Sequence, residues 1–354
     1  MLIMRIRIFL LAFIVGFPVQ IQAQKDDVPF PEEAIAVFSE LFTAEEPLHM
    51  TLEFDAKALR RTKRKGIYHD ALMTCALDDD FSFRDSVRLK ARGIWRRENC
   101  TMPPIWFNIR HARVRADSLD DVIRMKLVVR CRDQAKYEPY ILREYLVYKI
   151  YNMVTPLSYR VRLVRLTIID KGKKKNNVTE DWAFLQEPDE LMTLRLGAKM
   201  IKSDELAMAR MNPEAMDRMA LFSYMIGNGD YSVTGRHNLK IMVLNSGDPS
   251  GFLPVPYDFD FTGLVNTIYA TPRENLGIRT VRDRYYLGQC RSRQTHEKTI
   301  QELAQCKDGI MQYIKDFEYL DEKEKADMID YLQSYFEQSA ESWFIDRCIS
   351  STCR

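Results

Sequence analysis

The sequence predicts an α+β fold, in which a strand-rich first half with one helix precedes a helix-rich second half. Alternating apolar residues predict strands at residues 48–54, 81–92, 105–109, 124–131, 159–170 and 183–186. An apolar period of 3.6 residues predicts one helix among these strands, over residues 140–154. Two long helices, at about 297–317 and 322–345, are predicted near the C-terminus.

The composition is that of a globular protein and excludes some classes. Of the 354 residues, 46% are hydrophobic and 29% are charged, which is unlike collagen or a disordered chain. The length allows one large or two medium domains. The 52 basic and 50 acidic residues nearly cancel, so the charge gives no support to nucleic-acid binding.

The first 23 residues read as a secretory signal peptide. Arg5 and Arg7 precede an apolar run over residues 8–17, Pro18 follows, and Ala23 offers a cleavage point. The alternative is a membrane anchor, but the run is shorter than the roughly 20 residues that span a bilayer. No later segment is apolar enough to span. We therefore predict a secreted or periplasmic protein without a transmembrane segment after cleavage.

The sequence contains seven cysteines. An exported protein reaches an oxidising compartment, where disulfides form. An odd number leaves at least one cysteine free or paired elsewhere. Proximity in the sequence predicts a disulfide between Cys348 and Cys353. The further candidate pairs are Cys290 with Cys306 and Cys100 with Cys131.

Acidic and amide side chains near the middle of the chain resemble a metal and phosphate site. Asp230 follows the end of a helix predicted to begin at Pro213, Asn238 precedes a predicted hairpin, and Asp258 and Asp260 follow it. Mg²⁺ prefers hard oxygen ligands and takes others from phosphates. Asp230 would orient a hydroxyl nucleophile, and the other three would hold metal. The alternative is ordinary turn chemistry, since Asn and Asp are common in loops.

A second pair of charges lies upstream. Lys126 stands within an apolar strand, and Glu144 lies on the helix that follows. A buried charged lysine is unfavourable unless it is paired, and kinases use a strand lysine held by a helix glutamate to grip phosphates. The alternative is a lysine and a glutamate that both face solvent. The order Lys126, Glu144, Asp230, Asn238, Asp258 is the order found in kinases.

A basic loop over residues 92–99 separates two predicted strands and takes the place of a glycine-rich phosphate loop. It contains only Gly93, so ordinary kinase and P-loop motifs are absent. Arg92, Arg96 and Arg97 are candidates for direct phosphate contacts. The alternative is a solvated basic hairpin.

Together these motifs resemble the CotH group of atypical kinases over about residues 45–265. The similar segments are Leu89-Lys90-Ala91-Arg92-Gly93, Lys126-Leu127, Arg143-Glu144, Asn228-Gly229-Asp230 with Asn238, and Pro256-Tyr257-Asp258-Phe259-Asp260. The chain also resembles a family of uncharacterised exported bacterial proteins with arginine-rich, IGN-x-D and PYDFD segments. Two features depart from the kinase pattern: the long Asp230–Asn238 spacing and Phe261, not Gly, after Asp260.

The resemblance implies a two-lobed protein-kinase-like fold, with a β-rich N-lobe that contains one helix and a helical C-lobe. The implied domains are a signal peptide (1–23), a helical extension (24–44), a nucleotide-binding N-lobe (45–190) and a catalytic, metal-binding C-lobe (191–354). ATP and Mg²⁺ or Mn²⁺ would be the cofactors. Lys126, Glu144, Arg92 and Arg96 would bind the nucleotide, and an unknown protein or small molecule would accept the phosphoryl or nucleotidyl group.

Two other functions fit the same residues. A pseudokinase-like binding or scaffold protein would keep the fold without catalysis. A carboxylate hydrolase would use Asp258 and Asp260. On an extended strand those two side chains share a face, which suits a shared metal better than attack from opposite sides of a sugar.

Overall fold

The computed structural model describes residues 40–76, 82–109, 124–172, 177–201, 210–246 and 251–354. Seven of the described strands form a closed barrel in the order β1-β2-β3-β4-β5-β7-β6. They are β1 (Leu48–Phe54), β2 (His69–Ala76), β3 (Ser82–Ala91), β4 (Ile105–Ile109), β5 (Arg124–Val129), β6 (Val161–Asp170) and β7 (Asn177–Gln186).

The predicted two-lobed protein-kinase-like fold is wrong. β1 pairs in parallel with β6, from Leu48 opposite Val164 to Phe54 opposite Asp170, and this pairing closes the sheet on itself. All other neighbours in the barrel are antiparallel. A closed mixed barrel belongs to a different class from an open β-rich lobe. The proposed boundaries at residues 44 and 190 stay a prediction.

Apolar side chains fill the barrel. Alternate residues of each strand point inward, and the buried core contains Leu52, Leu89, Phe107, Leu127 and Leu185, each at most 1% exposed. The outer face of β5 and β7 instead contacts the helices, because Val128 and Phe184 belong to a second core with them. The outer face of the barrel at β5 and β7 is therefore covered by helices.

The helices lie between and after the strands. They are α1 (Ala56–Thr62), α2 (Trp95–Asn99), α3 (Glu138–Val154), α4 (Asp189–Arg195), α5 (Pro213–Met225), α6 (Arg293–Gln305), α7 (Lys307–Asp316) and α8 (Glu322–Ser339). A second sheet has the order β10-β9-β8, formed by β8 (Ala198–Met200), β9 (Leu239–Leu244) and β10 (Leu253–Pro256). α3 packs against β6 and β7 of the barrel.

The β9–β10 hairpin brings distant residues together. Leu239 pairs with Pro256 at its open end, and the Tyr257 N–H donates to the Asn238 carbonyl oxygen at 3.0 Å. The residues just outside both strands are therefore neighbours. Gly227, with φ of 67°, follows α5 in the left-handed conformation common at helix ends, and the next residues run beside this hairpin end.

Most strand predictions are confirmed, with instructive exceptions. β2 was not predicted, and neither was α1 before it. The predicted loop over 92–99 contains α2. The predicted helix 297–317 is divided between α6 and α7, which meet at Cys306.

The signal-peptide prediction lies outside the described residues. In the described part of the chain, no helix is long and apolar enough to cross a membrane.

Two disulfides join described cysteines. Cys100 pairs with Cys131, as expected. The other two predicted pairs, Cys348 with Cys353 and Cys290 with Cys306, are wrong, because Cys290 pairs with Cys353. Cys75, Cys306 and Cys348 are free thiols. Two disulfides are compatible with an exported protein.

We expect the Cys100–Cys131 disulfide to stabilise the fold strongly. It closes a loop with a sequence separation of 31, and loop entropy predicts a loss of about 3–4 kcal/mol in the free energy of unfolding for the Cys100→Ala, Cys131→Ala variant. Urea unfolding measures this difference. Cys306→Ser, which removes a free thiol, is the control and should change little; equal stability of all three proteins would contradict the prediction.

Candidate metal and phosphate site

A buried ion pair joins the barrel to the end of the second sheet. Lys126 on β5 is 3% exposed, and its Nζ lies 3.5 Å from Oδ1 of Asp258, which follows β10. Because a buried ammonium without a partner is strongly unfavourable, this contact explains how an apolar strand accommodates the lysine. Asp258 is thus the acid within ion-pair distance of Lys126. Glu144 pairs with a different cation.

Arg96 is the cation that pairs with Glu144. Its side chain is 5% exposed, and Nη1 lies 3.3 Å from Oε2 of Glu144. Nη2 donates to the Val129 carbonyl oxygen at 2.6 Å, and Nε lies 3.9 Å from Oδ2 of Asp260. One guanidinium therefore links α2, β5, α3 and the segment after β10.

Glu144, Asp258 and Asp260 form a carboxylate cluster. Each offers one oxygen, and these oxygens all lie within 4.8 Å of one another. Tyr269 donates to Oδ2 of Asp260 at 3.2 Å. The three acids come from α3 and from the residues after β10, so the cluster exists only in the folded chain.

The surroundings set different charge states for the three acids. Burial raises the pKa of Glu144 to about 8, although Arg96 opposes the shift. Burial and the neighbouring Asp258 raise the pKa of Asp260 to about 6. Burial would also raise the pKa of Asp258, but Lys126 and nearby arginines outweigh it and lower that pKa. Asp258 therefore loses its proton most readily of the three acids, and Glu144 least readily.

Helix α3 positions the cluster through neighbouring residues. Glu144 and Tyr148 are four residues apart and share a face, and the Tyr148 hydroxyl accepts the Asp258 N–H at 2.8 Å. Asp258 has φ of 65°, a left-handed conformation that is rare for a residue with a side chain. Arg143 donates twice to the Leu264 carbonyl oxygen, at 3.0 and 2.7 Å. α3 is therefore bonded to both ends of the segment that carries the two aspartates.

Asp230 and Asn238 lie together beside this segment. Asn238 Nδ2 donates to the carbonyl oxygen and to Oδ2 of Asp230, both at 3.0 Å. Arg273 Nε donates to Oδ1 of Asp230 at 3.2 Å, and His237 Nε2 lies 3.3 Å from the same oxygen. Asn238 is also bonded to Tyr257, the residue before Asp258. The chain thus brings the predicted Asp230–Asn238 loop to the same hairpin end as Asp258.

Arg92 lies at the outer edge of the cluster. Its guanidinium carbon is 4.6 Å from the centre of the Trp106 ring. Its Nε and Nη1 are buried and have no hydrogen-bond partner among the described residues. Its charge lowers the pKa values of both Lys126 and Asp258, after the larger effects of burial and of their mutual ion pair. The predicted phosphate role of Arg92 stays a prediction.

Several residues of the site were not predicted. Tyr269 and Arg273 lie in the irregular segment between β10 and α6, where no periodicity or motif marked them. Glu144 was expected to pair with Lys126, and it lies instead with Asp258 and Asp260 around Arg96. The only sequence signal for the Arg96–Glu144 contact was the position of Arg96 in the basic loop over residues 92–99.

A surface cleft of about 640 Å³ lies elsewhere. It is formed by α5 and α6 and is lined in part by Glu214, Arg218, Lys298 and Glu302. It contains none of the clustered acids, and its charges already pair with one another. We therefore assign the candidate chemistry to the carboxylate cluster.

Comparisons with known proteins add little. No family model matches this chain, and no curated protein matches it. Among solved structures, the chain is similar to a Helicobacter pylori proinflammatory kinase, CtkA, with 11% sequence identity. The match covers 60% of this chain and 84% of that chain, with a TM-score of 0.32. A TM-score this low indicates at most a coarse likeness to a kinase and carries no argument about substrate or metal.

The raised pKa of Glu144 predicts a stability that falls with pH. From the ordinary value of 4.5 up to about 8, the folded protein holds a proton that the unfolded chain has lost. The free energy of unfolding should therefore decrease as pH rises through this window, by up to about 1.4 kcal/mol per pH unit. Urea unfolding in EDTA at several pH values between 6.5 and 8 measures the slope.

The Glu144→Gln variant isolates this contribution. It should show a smaller decrease over the same pH range, because the titrating group is gone. Glu302→Gln, at a surface ion pair with Arg218, should keep the wild-type slope. Identical slopes for wild type and Glu144→Gln would contradict the assignment.

Proposed function

We propose that this chain is an exported phosphotransferase that moves a phosphoryl or nucleotidyl group from ATP to an acceptor hydroxyl in a metal-dependent reaction. One observation carries the proposal: Lys126 meets Asp258, with Glu144 and Asp260 beside them, although these residues come from β5, α3 and the segment after β10. A cation and several carboxylates at one point suit a polyphosphate with its metal ion.

The cations would bind the phosphates. Lys126 supplies a fixed ammonium on a rigid strand, and Arg92 supplies guanidinium nitrogens that lack a described hydrogen-bond partner. Guanidinium groups bind phosphate oxygens through paired hydrogen bonds. Arg96 stays a predicted nucleotide contact, and its present bonds to Glu144 and Val129 suit a role in positioning the carboxylates.

The carboxylates fit a hard divalent ion. Their oxygens lie within 4.8 Å of one another, and Oε1 of Glu144 is buried without a hydrogen-bond partner among the described residues. Mg²⁺ and Mn²⁺ favour such oxygen donors. Asp258 and Asp260 would hold the ion, with Asn238 from the adjacent strand end. When bound, the ion would neutralise charge on the transferring phosphate.

Asp230 would orient the acceptor and take its proton. Asn238 and Arg273 fix both oxygens of its carboxylate. In phosphoryl transfer, the acceptor oxygen forms a bond to phosphorus as the bond to ADP breaks, and the hydroxyl proton passes to Asp230. A base held in one orientation lowers the entropic part of the activation barrier.

We also consider a protein that binds nucleotide without transferring a phosphoryl group, because one observation favours it. Arg273 and Asn238 already donate hydrogen bonds to the Asp230 carboxylate. Both of its oxygens are therefore engaged before any acceptor binds. A pseudokinase-like surface protein would bind nucleotide and leave it intact. Product analysis after nucleotide binding separates the two functions.

The test of the proposal is a thermal-shift screen of nucleotides with Mg²⁺ or Mn²⁺. Mass action predicts a higher melting temperature only when nucleotide and metal are both present. No shift with any nucleotide would count against both nucleotide functions.

Asp230→Asn should separate binding from transfer. Nucleotide binding should persist, because Asp230 is not among the clustered carboxylates. Transfer should fall by about 100-fold or more, the usual loss when a general base is removed. Asp283→Asn, in a loop where the carboxylate accepts from Arg279 and Thr280 N–H groups, is the matched control. Full transfer by Asp230→Asn would refute the role.

A further inference from the structure

A row of cations lies on the outer face of the barrel and ends beside Lys126. Side chains alternate along a strand, and because the inward positions of β3 are buried and apolar, Arg88 and Lys90 face outward. Arg92 continues the alternation after β3, and Arg124 begins β5. We name Arg88, Lys90, Arg92 and Arg124 the basic strip.

The strand register connects the basic strip to the candidate site. Lys90 lies opposite Trp106 on β4, and Trp106 lies opposite Lys126 on β5. In the next row, Arg88 and Arg124 both lie opposite Asn108. Cations from β3 and β5 therefore flank β4, and the row runs along the outer face of the barrel to the Lys126–Asp258 pair.

Two aromatic rings hold these cations in place. Arg88 and Lys90 lie 5.0 and 4.6 Å from the centre of the Tyr68 ring. Arg92 and Arg124 lie 4.6 and 5.9 Å from the centre of the Trp106 ring. Cation–π contacts restrict the side chains, and they also use ring surface on which nucleic-acid bases would otherwise stack.

The basic strip carries an excess of positive charge. Within the described ranges, its one ion pair joins Arg88 to Asp70 at 4.0 Å, and the Asp70 side chain is 97% exposed. Glu190 is a further acid within electrostatic reach of Arg124. Asp258 lies within electrostatic reach of Arg92 and is already paired with Lys126. Four cations against Asp70 and Glu190, with Asp258 balanced by Lys126, favour an anionic partner.

We propose that the basic strip binds an acidic peptide in an extended conformation and presents its hydroxyl group to the Lys126–Asp258 end. Arg88, Lys90 and Arg92 occupy alternate positions along one strand direction, so they are spaced at roughly 6.6–6.8 Å. Alternate side chains of an extended peptide have the same spacing, so acidic residues at every second position match Arg88 and Lys90, and Arg92 stays with the proposed phosphate contacts. The hydroxyl transfer rests on the proposed function, and the peptide binding does not.

The experiment measures the affinity of the purified protein for fluorescent peptides at low salt. One probe is a short peptide in which Glu and Thr alternate. The other is an isomer of the same composition in which all the Glu residues are consecutive. We expect the alternating peptide to bind more tightly and its affinity to fall as salt is added.

The Arg88→Ser, Lys90→Ser variant tests the basic strip without touching the proposed phosphate contacts. Exposed charge pairs predict a loss of affinity of up to about fivefold for each cation, so up to about 25-fold for the pair. Arg84→Ser is the matched control, since Arg84 lies on the same strand and is already paired with Glu53 at 3.3 Å. Thermal melting establishes that each variant is folded.

Three results would overturn the proposal: equal binding of the two isomers, unchanged affinity in the double variant, or tighter binding of a single-stranded oligonucleotide or a sulfated glycan. The peptide proposal and the proposed function are tested independently of each other. Asp258→Asn should lose nucleotide binding and keep peptide binding, so peptide binding by a protein that binds no nucleotide would leave the basic strip assigned.

Discussion

Replacing Asp258 with Asn should abolish metal-dependent nucleotide binding while the protein stays folded. Asp258 contributes an oxygen to the carboxylate cluster and is the ion-pair partner of Lys126. Loss of even an indirect metal contact lowers metal affinity by about 10–100-fold, so we expect at least about 100-fold weaker binding. Titration calorimetry with Mg²⁺ and a non-hydrolysable nucleotide measures the loss.

The choice of Asn follows from the backbone. Asp258 has φ of 65°, and Asn is among the few residues that adopt this conformation readily, so the variant separates lost charge from backbone strain. Asp181→Asn is the matched control: Asp181 is similarly exposed and pairs with Arg130 at 2.8 Å, away from the cluster. Wild-type nucleotide affinity in Asp258→Asn would refute the metal assignment.

The sequence identified the polar partners of the site by their unusual surroundings. Lys126 stands in an apolar strand, and Asp258 and Asp260 directly follow another one. Charges beside apolar strands need partners. Lys126 and Asp258 pair with each other, and Asp260 lies beside them. The order of these residues could be read in advance, but the pairing could not, since Arg96 took the place expected for Lys126 beside Glu144.

Barrel closure could not be predicted from the pattern of the strands. A period of two shows which side chains face inward, but it does not identify the neighbouring strand. The parallel contact between β1 and β6 joins segments over 100 residues apart, and the described elements between them in the chain include α1, α2, α3 and strands β2 to β5. The missed strand β2 contains His69, Asp70 and Thr74, whose polarity hides the alternation.

The incorrect disulfide has a similar cause. Cys348 and Cys353 are close in sequence, but Cys353 belongs to a C-terminal segment that returns to residues 288–290. The Arg354 N–H donates to the Gly288 carbonyl oxygen at 3.0 Å, and the Cys290 N–H donates to the Arg354 carbonyl oxygen at 3.2 Å. Backbone pairing that no local pattern encodes thus selected Cys290 as the partner.

Replacing Arg96 with Met should lower the free energy of unfolding by about 3–5 kcal/mol. Arg96 is buried between Glu144 and Asp260, and removing one partner of a buried ion pair leaves the other charge without compensation. Arg97→Met is the matched control, because the described structure gives the adjacent Arg97 no ion pair. Urea unfolding without metal, at a pH above the raised pKa of Glu144, measures both variants.

The double variant Arg96→Met, Glu144→Gln should regain part of the lost stability. A buried charge is costly mainly when its partner is missing, and a neutral pair of similar size avoids that penalty. The remaining deficit reports Asp260, which keeps its bond from Tyr269 but loses the nearby guanidinium. If the double variant were less stable than Arg96→Met alone, Glu144 would not be the charge that Arg96 compensates. If both matched wild type, Arg96 would have no role in holding the carboxylates together, and the cluster would need another source of positive charge.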